Sequence, residues 1–174
     1  LVSLDPPDGL LMDITGCAYL FGGEREMAET IRQRAADLQI TAQIAIADTK
    51  GAAAALARFS FAPVTIAEAG KTAEALAALP LAALGLEPAL IQNIRRTGLQ
   101  SIGQLYGVKT AELARRYGLT LTTALERSLG RTPDPVVPKS ADPVYAARAT
   151  LPDPIGRLDD LEGVILRLAG SVCG

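Results

Sequence analysis

The sequence predicts an α+β fold, and three observations carry that prediction. The first 80 residues alternate short apolar runs with helical periodicity, the signature of a few strands layered with helices. Residues 81–130 instead read as a string of short helices punctuated by Gly and Pro. The chain of 174 residues is 49% hydrophobic and rich in alanine and leucine, a usage that favours helix and a buried core over disorder.

Taken in order, Val2–Asp5 is a short strand-like segment, and Pro6-Pro7-Asp8-Gly9 is turn chemistry, because proline fixes φ and glycine permits a tight reversal. Leu10–Thr15 reads as a buried strand and Gly16–Gly23 as a loop. Glu24 opens a helix to about Leu38, with Met27, Ala28, Ile31, Ala35 and Leu38 at helical spacing and acids in the first turn. The Leu10 to Ile14 run is expected to hold its sheet against that helix. Thr41–Ala47 is a second strand, Asp48 or Thr49 a cap, and Gly51–Arg58 a second helix. Pro63–Ile66 is a further short strand, and Lys71–Leu79 a helix ended by Pro80.

The helical series follows. Pro88–Thr97 starts on proline and stops at Gly98, and Ser101–Tyr106 is one turn. Thr110–Tyr117 takes Thr110 as N-cap and Gly118 as stop, and Thr120–Leu129 ends at Gly130. Arg131–Pro143 holds four prolines and reads as an extended linker. Val144–Leu151 then looks like a strand and Leu158–Leu168 like a helix, one βα unit too short to fold alone. The resulting divisions are 1–80, 81–130, a linker at 131–143, and 144–174. The chain opens at Leu1, mid-strand by pattern and without an initiator Met, and so reads as a piece of a longer protein.

Composition limits the chemistry. There is no His and no Trp, which removes the commonest general base and the commonest transition-metal ligand. The two cysteines, Cys17 and Cys173, lie near opposite ends without metal-ligand spacing, and Cys17 reads as a buried free thiol. Few cysteines and no signal peptide suggest a reducing, cytoplasmic setting, and no apolar run approaches the roughly 20 residues of a membrane span. Net charge is −2, but its distribution is uneven. Residues 1–84 carry 6 Lys/Arg against 10 Asp/Glu, residues 85–139 carry 8 against 4, and residues 140–174 carry 3 against 5. Only the middle region is basic, as a polyanion-binding patch requires, although ordinary scatter on a solvated helical face gives the same count.

The residues around Asp8 bring a family into view. Pro6 to Gly16, read as P-P-D-G-L-L-M-D-I-T-G, followed by Leu20-Phe21-Gly22, resembles the palm strand of Y-family translesion DNA polymerases, which usually reads S-I-D-E-A-[FY]-L-D-V-T-G. The likeness is closer still to their ImuB-type, polymerase-like relatives, and covers nearly the whole chain. It implies the second half of a palm over 1–80, a helical thumb over 81–130, and the start of a little-finger domain over 144–174.

The resemblance fails where catalysis would be carried. The family's metal-binding Glu falls on Gly9, leaving Asp8 without the clustered carboxylates that hold two Mg²⁺ ions for phosphoryl transfer. Alternation places Asp13 away from Asp8, in a structural role. In the stretch resembling G-I-[AS]-x-N-K-x-x-A-K, Lys50 is kept and the second lysine is Ala54. The nucleotide-binding Lys before proline is also missing, since Phe61 and Ala62 precede Pro63. Asp8 and Gly9 are therefore vestigial; no catalytic residue, metal site or cofactor is implied.

The thumb of this family contains a helix-hairpin-helix that grips DNA phosphate through backbone N–H groups. Gly85-Leu86-Glu87 stands at its hairpin, with Glu87 where a second glycine belongs, and Gly98-Leu99-Gln100-Ser101-Ile102-Gly103 matches the segment after it. The resemblance implies DNA contacts at Gly98, Ser101 and Gly103, with Arg95, Arg96, Arg115 and Arg116 as side-chain contacts. The same arginines also read as solvated helix surface. The implied role is a scaffold in DNA-damage-induced mutagenesis, bridging a sliding clamp, a RecA-like partner and an error-prone polymerase through regions mostly outside this chain. An active translesion polymerase and an unrelated helix-hairpin-helix DNA-binding module are the alternatives.

Overall fold

The computed structural model describes residues 1–136, 150 and 157–173. The chain forms two compact units, Leu1–Lys139 and Ser140–Gly174. The first is a mixed α+β unit with two small sheets. β1 (Val2–Asp5) and β2 (Gly9–Met12) form an antiparallel hairpin in which Val2 faces Met12, Leu4 faces Leu10 and Asp5 faces Gly9. β3 (Ile44–Ile46) and β4 (Val64–Ile66) pair in parallel, joined by α2 (Lys50–Phe59). α1 (Glu24–Asp37) packs on β3 and β4 and buries Met27 and Ala28.

The core lies beneath α2. Ala52, Ala55 and Leu56 are buried on its inner face, together with Leu76 of α3 (Thr72–Ala77) and Leu81 and Leu84 of the following 3-10 turn. The same cluster continues through Ile94 of α4 (Pro88–Arg95), Ile102 and Leu105 of α5 (Ile102–Leu105), Leu113 and Tyr117 of α6 (Thr110–Tyr117), and Leu121 and Leu125 of α7 (Leu119–Ser128). Alanine on α2 keeps side chains small, so neighbouring elements approach its backbone closely. At Gly51 an added Cβ would stand 2.8 Å from Ser128 Oγ. At Gly103 it would stand 2.9 Å from both Cβ and the carbonyl oxygen of Ala77, where α5 lies on α3.

Several sequence expectations are corrected. The strand predicted over Leu10–Thr15 stops at Met12, because Thr15 N–H donates to Asp13 Oδ1 at 3.0 Å and turns the chain out of the ladder. The strand is not buried: Leu10 is 63% and Met12 43% exposed, and β2 packs on α2 rather than on the 24–38 helix. That helix ends at Asp37, with Leu38 in solvent and Gln39 left-handed. The strand predicted over Thr41–Ala47 is only Ile44–Ile46. A 3-10 turn at Ala18–Phe21 interrupts the predicted loop.

Thr49 caps α2, with Ala52 N–H donating to its Oγ1 at 3.1 Å. Asp48 instead accepts from Gly70 N–H and Thr72 Oγ1, tying the end of β3 to the start of α3. Lys109, not Thr110, occupies the N-cap of α6. Cys17 is exposed rather than buried, since its loop lies outside the core. In the second unit the described element is α8 (Leu158–Cys173), longer than predicted and with Asp159 and Asp160 in its first turn. The strand expected over Val144–Leu151 falls largely outside the described residues. None of the described helices is long and apolar enough to cross a membrane.

Packing at α5 is testable. Gly103→Val should destabilise the first unit by about 1–3 kcal/mol, because the new side chain meets backbone that cannot rotate away. Ile102→Ala, at a fully buried site, should cost about 2–5 kcal/mol. Thermal unfolding of the purified protein measures both, and an unchanged midpoint in either variant would contradict this packing.

Candidate nucleic-acid interface and a neutralised acidic turn

The β1–β2 turn places two carboxylates beside one cation. Arg58, in the last turn of α2, reaches across to the hairpin, with Nη1 2.6 Å from Asp5 Oδ2 and Nη2 3.7 Å from Asp8 Oδ1. Its Nη2 also donates to the carbonyl oxygens of Asp5 and Pro6, at 3.1 and 3.4 Å. The guanidinium thus supplies the positive charge this acidic turn needs. Gly9 lies within the same contact set. A Cβ there would approach Asp5 O to 2.8 Å and Arg58 Nη2 to 3.0 Å, so the position that would need a Glu has no room for a side chain.

Asp13 serves a different purpose. Its carboxylate accepts from the backbone N–H and then the side chain of Thr15, and these bonds hold it below its ordinary pKa of 3.8. Among the described residues, no three His, Cys, Asp or Glu side chains cluster as a metal site would require.

The predicted basic residues lie on the helical half. Arg95 and Arg96 end α4, and Arg115 and Arg116 sit in the last turn of α6; all four are exposed. A hydrogen bond of 2.7 Å between Thr97 Oγ1 and Tyr117 Oη brings these two helix ends together. Because Thr97 Oγ1 donates to Ile94 O, the tyrosine is the donor in that bond. The Arg116 guanidinium lies over the Tyr117 ring, 5.5 Å from its centroid. Two pairs of cations therefore flank one part-buried link.

The predicted backbone positions divide. Gly98 is exposed and left-handed at φ +90°, with open space where a Cβ would stand. Ser101 precedes α5, and its N–H is held by Gln104 Oε1 at 3.1 Å. Gly103 is set against Ala77, which assigns it to helix packing. The reversal at 85–87 follows the 3-10 turn Leu81–Leu84. Gly85 is left-handed at φ +66°, Leu86 is buried, and Glu87 is exposed at the head of α4. Pro88 removes one N–H from that helix start, and Glu87 sets a carboxylate beside the rest.

Against this geometry, the chain is 37% identical over 172 residues, 99% of its length, to Protein ImuB of Caulobacter vibrioides. This is an ImuB-like, Y-family polymerase-like chain. It is also 30% identical over 114 residues to DNA polymerase IV 2 of Mesorhizobium japonicum, and 26% identical over 170 residues to DNA polymerase IV of Moorella thermoacetica. These alignments cover 64% and 95% of the chain. No protein-family model matches it. The chain spans 37% of the length of its ImuB relative, and its alignments cover 28% and 42% of the two polymerase IV relatives.

The ImuB-like chain also holds charged residues in places sequence reasoning missed. The sequence marks Lys50 only as a kept lysine; its Nζ donates to Asp134 Oδ1 at 2.8 Å, across 84 positions of sequence. Arg58 likewise grips Asp5 across 53. No local pattern announces either pair, because each joins elements far apart in the chain. The nearest signal was the position of Arg58 in a last helical turn, which explains its charge but not its partner.

Two measurements check the acidic turn. Gly9→Glu should cost about 1–3 kcal/mol by crowding Asp5 and Arg58, and calorimetry with Mg²⁺ should show no new stoichiometric binding. A stable variant that binds the ion would contradict the assigned crowding. A carboxyl-shift titration of Asp13 should place its midpoint below 3.8. The turn's stabilisation is then complete above that pH and is lost as pH falls through the lower folded value. Thr15→Ala should raise the midpoint only in part, because the backbone N–H is the larger cause.

Proposed function

We propose that this chain is part of a non-catalytic, polymerase-like scaffold that binds DNA and serves translesion synthesis and mutagenesis after DNA damage. The observation that carries this reading is the hairpin turn. Asp8 is met by an arginine, and Gly9, the position of the family's metal-binding Glu, has no space for a side chain. Ala54, with Phe61 and Ala62 before Pro63, removes the lysines that would hold a nucleotide's phosphates. The 37% identity over 99% of the chain is to Protein ImuB of Caulobacter vibrioides.

In this reading residues 1–80 are the retained part of a palm, 81–130 a thumb, 131–143 a linker, and 144–174 the start of a little finger. The 3-10 turn, Gly85 reversal and α4 form a degenerate helix-hairpin-helix. Glu87 and Pro88 weaken its backbone grip on phosphate, and the arginine pairs of α4 and α6 supply the contacts instead, without reading sequence. The protein acts in the cytoplasm and recruits an error-prone polymerase to clamp and DNA, with a RecA-like partner, through surfaces mostly beyond this chain.

Likeness to two chains named DNA polymerase IV favours nucleotidyl transfer as the second reading. Primer extension by the full-length protein with Mg²⁺ separates the two. No incorporation is expected, and clear Asp8-dependent incorporation would overturn the scaffold reading. In duplex-DNA titrations, Arg115→Ala with Arg116→Ala should weaken binding and reduce the slope of log K against log salt by about 2. An unchanged slope would remove α6 from the interface.

A further inference from the structure

Residues after α7 are held to α2 in an unusual way. Arg131 and Thr132 N–H both donate to Glu126 O, at 2.9 and 3.4 Å, and close the end of α7. Beyond Thr132 the sequence is Pro133-Asp134-Pro135-Val136. The two prolines have no N–H and fix φ, so this stretch cannot extend a helix or pair through those residues as a strand. Among the described residues, its polar tie is the side chain of Asp134, at 2.8 Å from Lys50 Nζ. Both partners are largely covered, with 23% of the Asp134 side chain and 29% of the Lys50 side chain exposed.

The stretch does not lie on a filled apolar surface. It borders a cleft of about 360 Å³ whose walls include Leu11, Asp13, Thr49, Lys50, Arg127 and Val136. Pro133 and Pro135 are exposed, and the charge pair is the polar attraction that ties the stretch to α2. Such a pair, part-covered and at the edge of an open cleft, is worth little and is screened by salt.

We propose that Lys50 and Asp134 form an electrostatic latch that holds residues 133–136 along the cleft and opens reversibly. Closed, the latch fixes the chain on the α2 side of the first unit up to Val136. Open, it frees residues 133–136 from the cleft, a stretch of at most ~14 Å. The device therefore sets whether these four residues lie along the cleft. It is independent of whether the protein binds DNA or performs catalysis.

Backbone 15N relaxation of the full-length protein tests it, read as the 1H–15N NOE at Asp134 and Val136. At low salt, Asp134→Asn and Lys50→Met should each lower the NOE at both positions toward that of a free chain. The charge swap of Lys50→Asp with Asp134→Lys should restore the wild-type value. The wild-type value should fall toward the variants' level as salt increases, while that of Asp134→Asn should be insensitive to salt. Values around Leu125 in α7 should be unchanged throughout. The latch is overturned if both single variants keep the wild-type NOE, if the swap leaves it low, or if the loss spreads into α7.

Discussion

The seating of α2 against the end of α7 is the constraint on which the first unit depends. Thr49 Oγ1 accepts from Ala52 N–H and donates to Ser128 O at 2.8 Å, so one hydroxyl both caps a helix and joins two distant parts of the chain. The contact requires Gly51, because any Cβ there would meet Ser128. Gly130 is similarly close, its Cβ position lying 3.1 Å from Thr49 Cγ2. With α2 fixed, its inner face of Ala52, Ala55 and Leu56 organises the apolar cluster from Leu76 to Leu125. A bulkier residue on this face would push the helical half away from the β3–β4 layer.

Both ends of α2 also present a cation to an acid. Lys50, at the start, meets Asp134, and Arg58, at the end, meets Asp5 and Asp8. A lysine in the first helical turn and acids near the last would each be unfavourable to the helix dipole if left alone, while Arg58 is well placed in its last turn. Pairing across the structure offsets the first of these costs. It also has a chemical result: the carboxylates of this region are engaged by other groups, Asp5 and Asp8 by Arg58 and Asp13 by Thr15.

The candidate site residues carry local signals. The departure at Gly9, the loss of lysine at Ala54 and Ala62, and the pairs Arg95-Arg96 and Arg115-Arg116 are read directly from sequence. The helices of 81–130 were also legible, since Gly98, Gly118 and Gly130 stop them and all three are left-handed in φ. The pattern at Leu10–Thr15 misleads for a physical reason. Its apolar run satisfies the pattern of a buried strand, but the Asp13–Thr15 turn ends pairing early and leaves one face of the hairpin in solvent.

The sequence by itself determined the α+β class, the order of the described elements, the family likeness and which residues stand at positions 9, 54 and 62, because propensity, capping and residue identity act over a few positions. Tertiary structure alone decided what stands beside Asp8, why Gly9 admits no side chain, how Thr97 and Tyr117 unite two arginine-bearing helix ends, and where Lys50 finds its acid. Each of these depends on contacts between residues 20 to 84 positions apart, apart from the tight turn at Gly9 itself, and such contacts exist only once the core has fixed the elements in place.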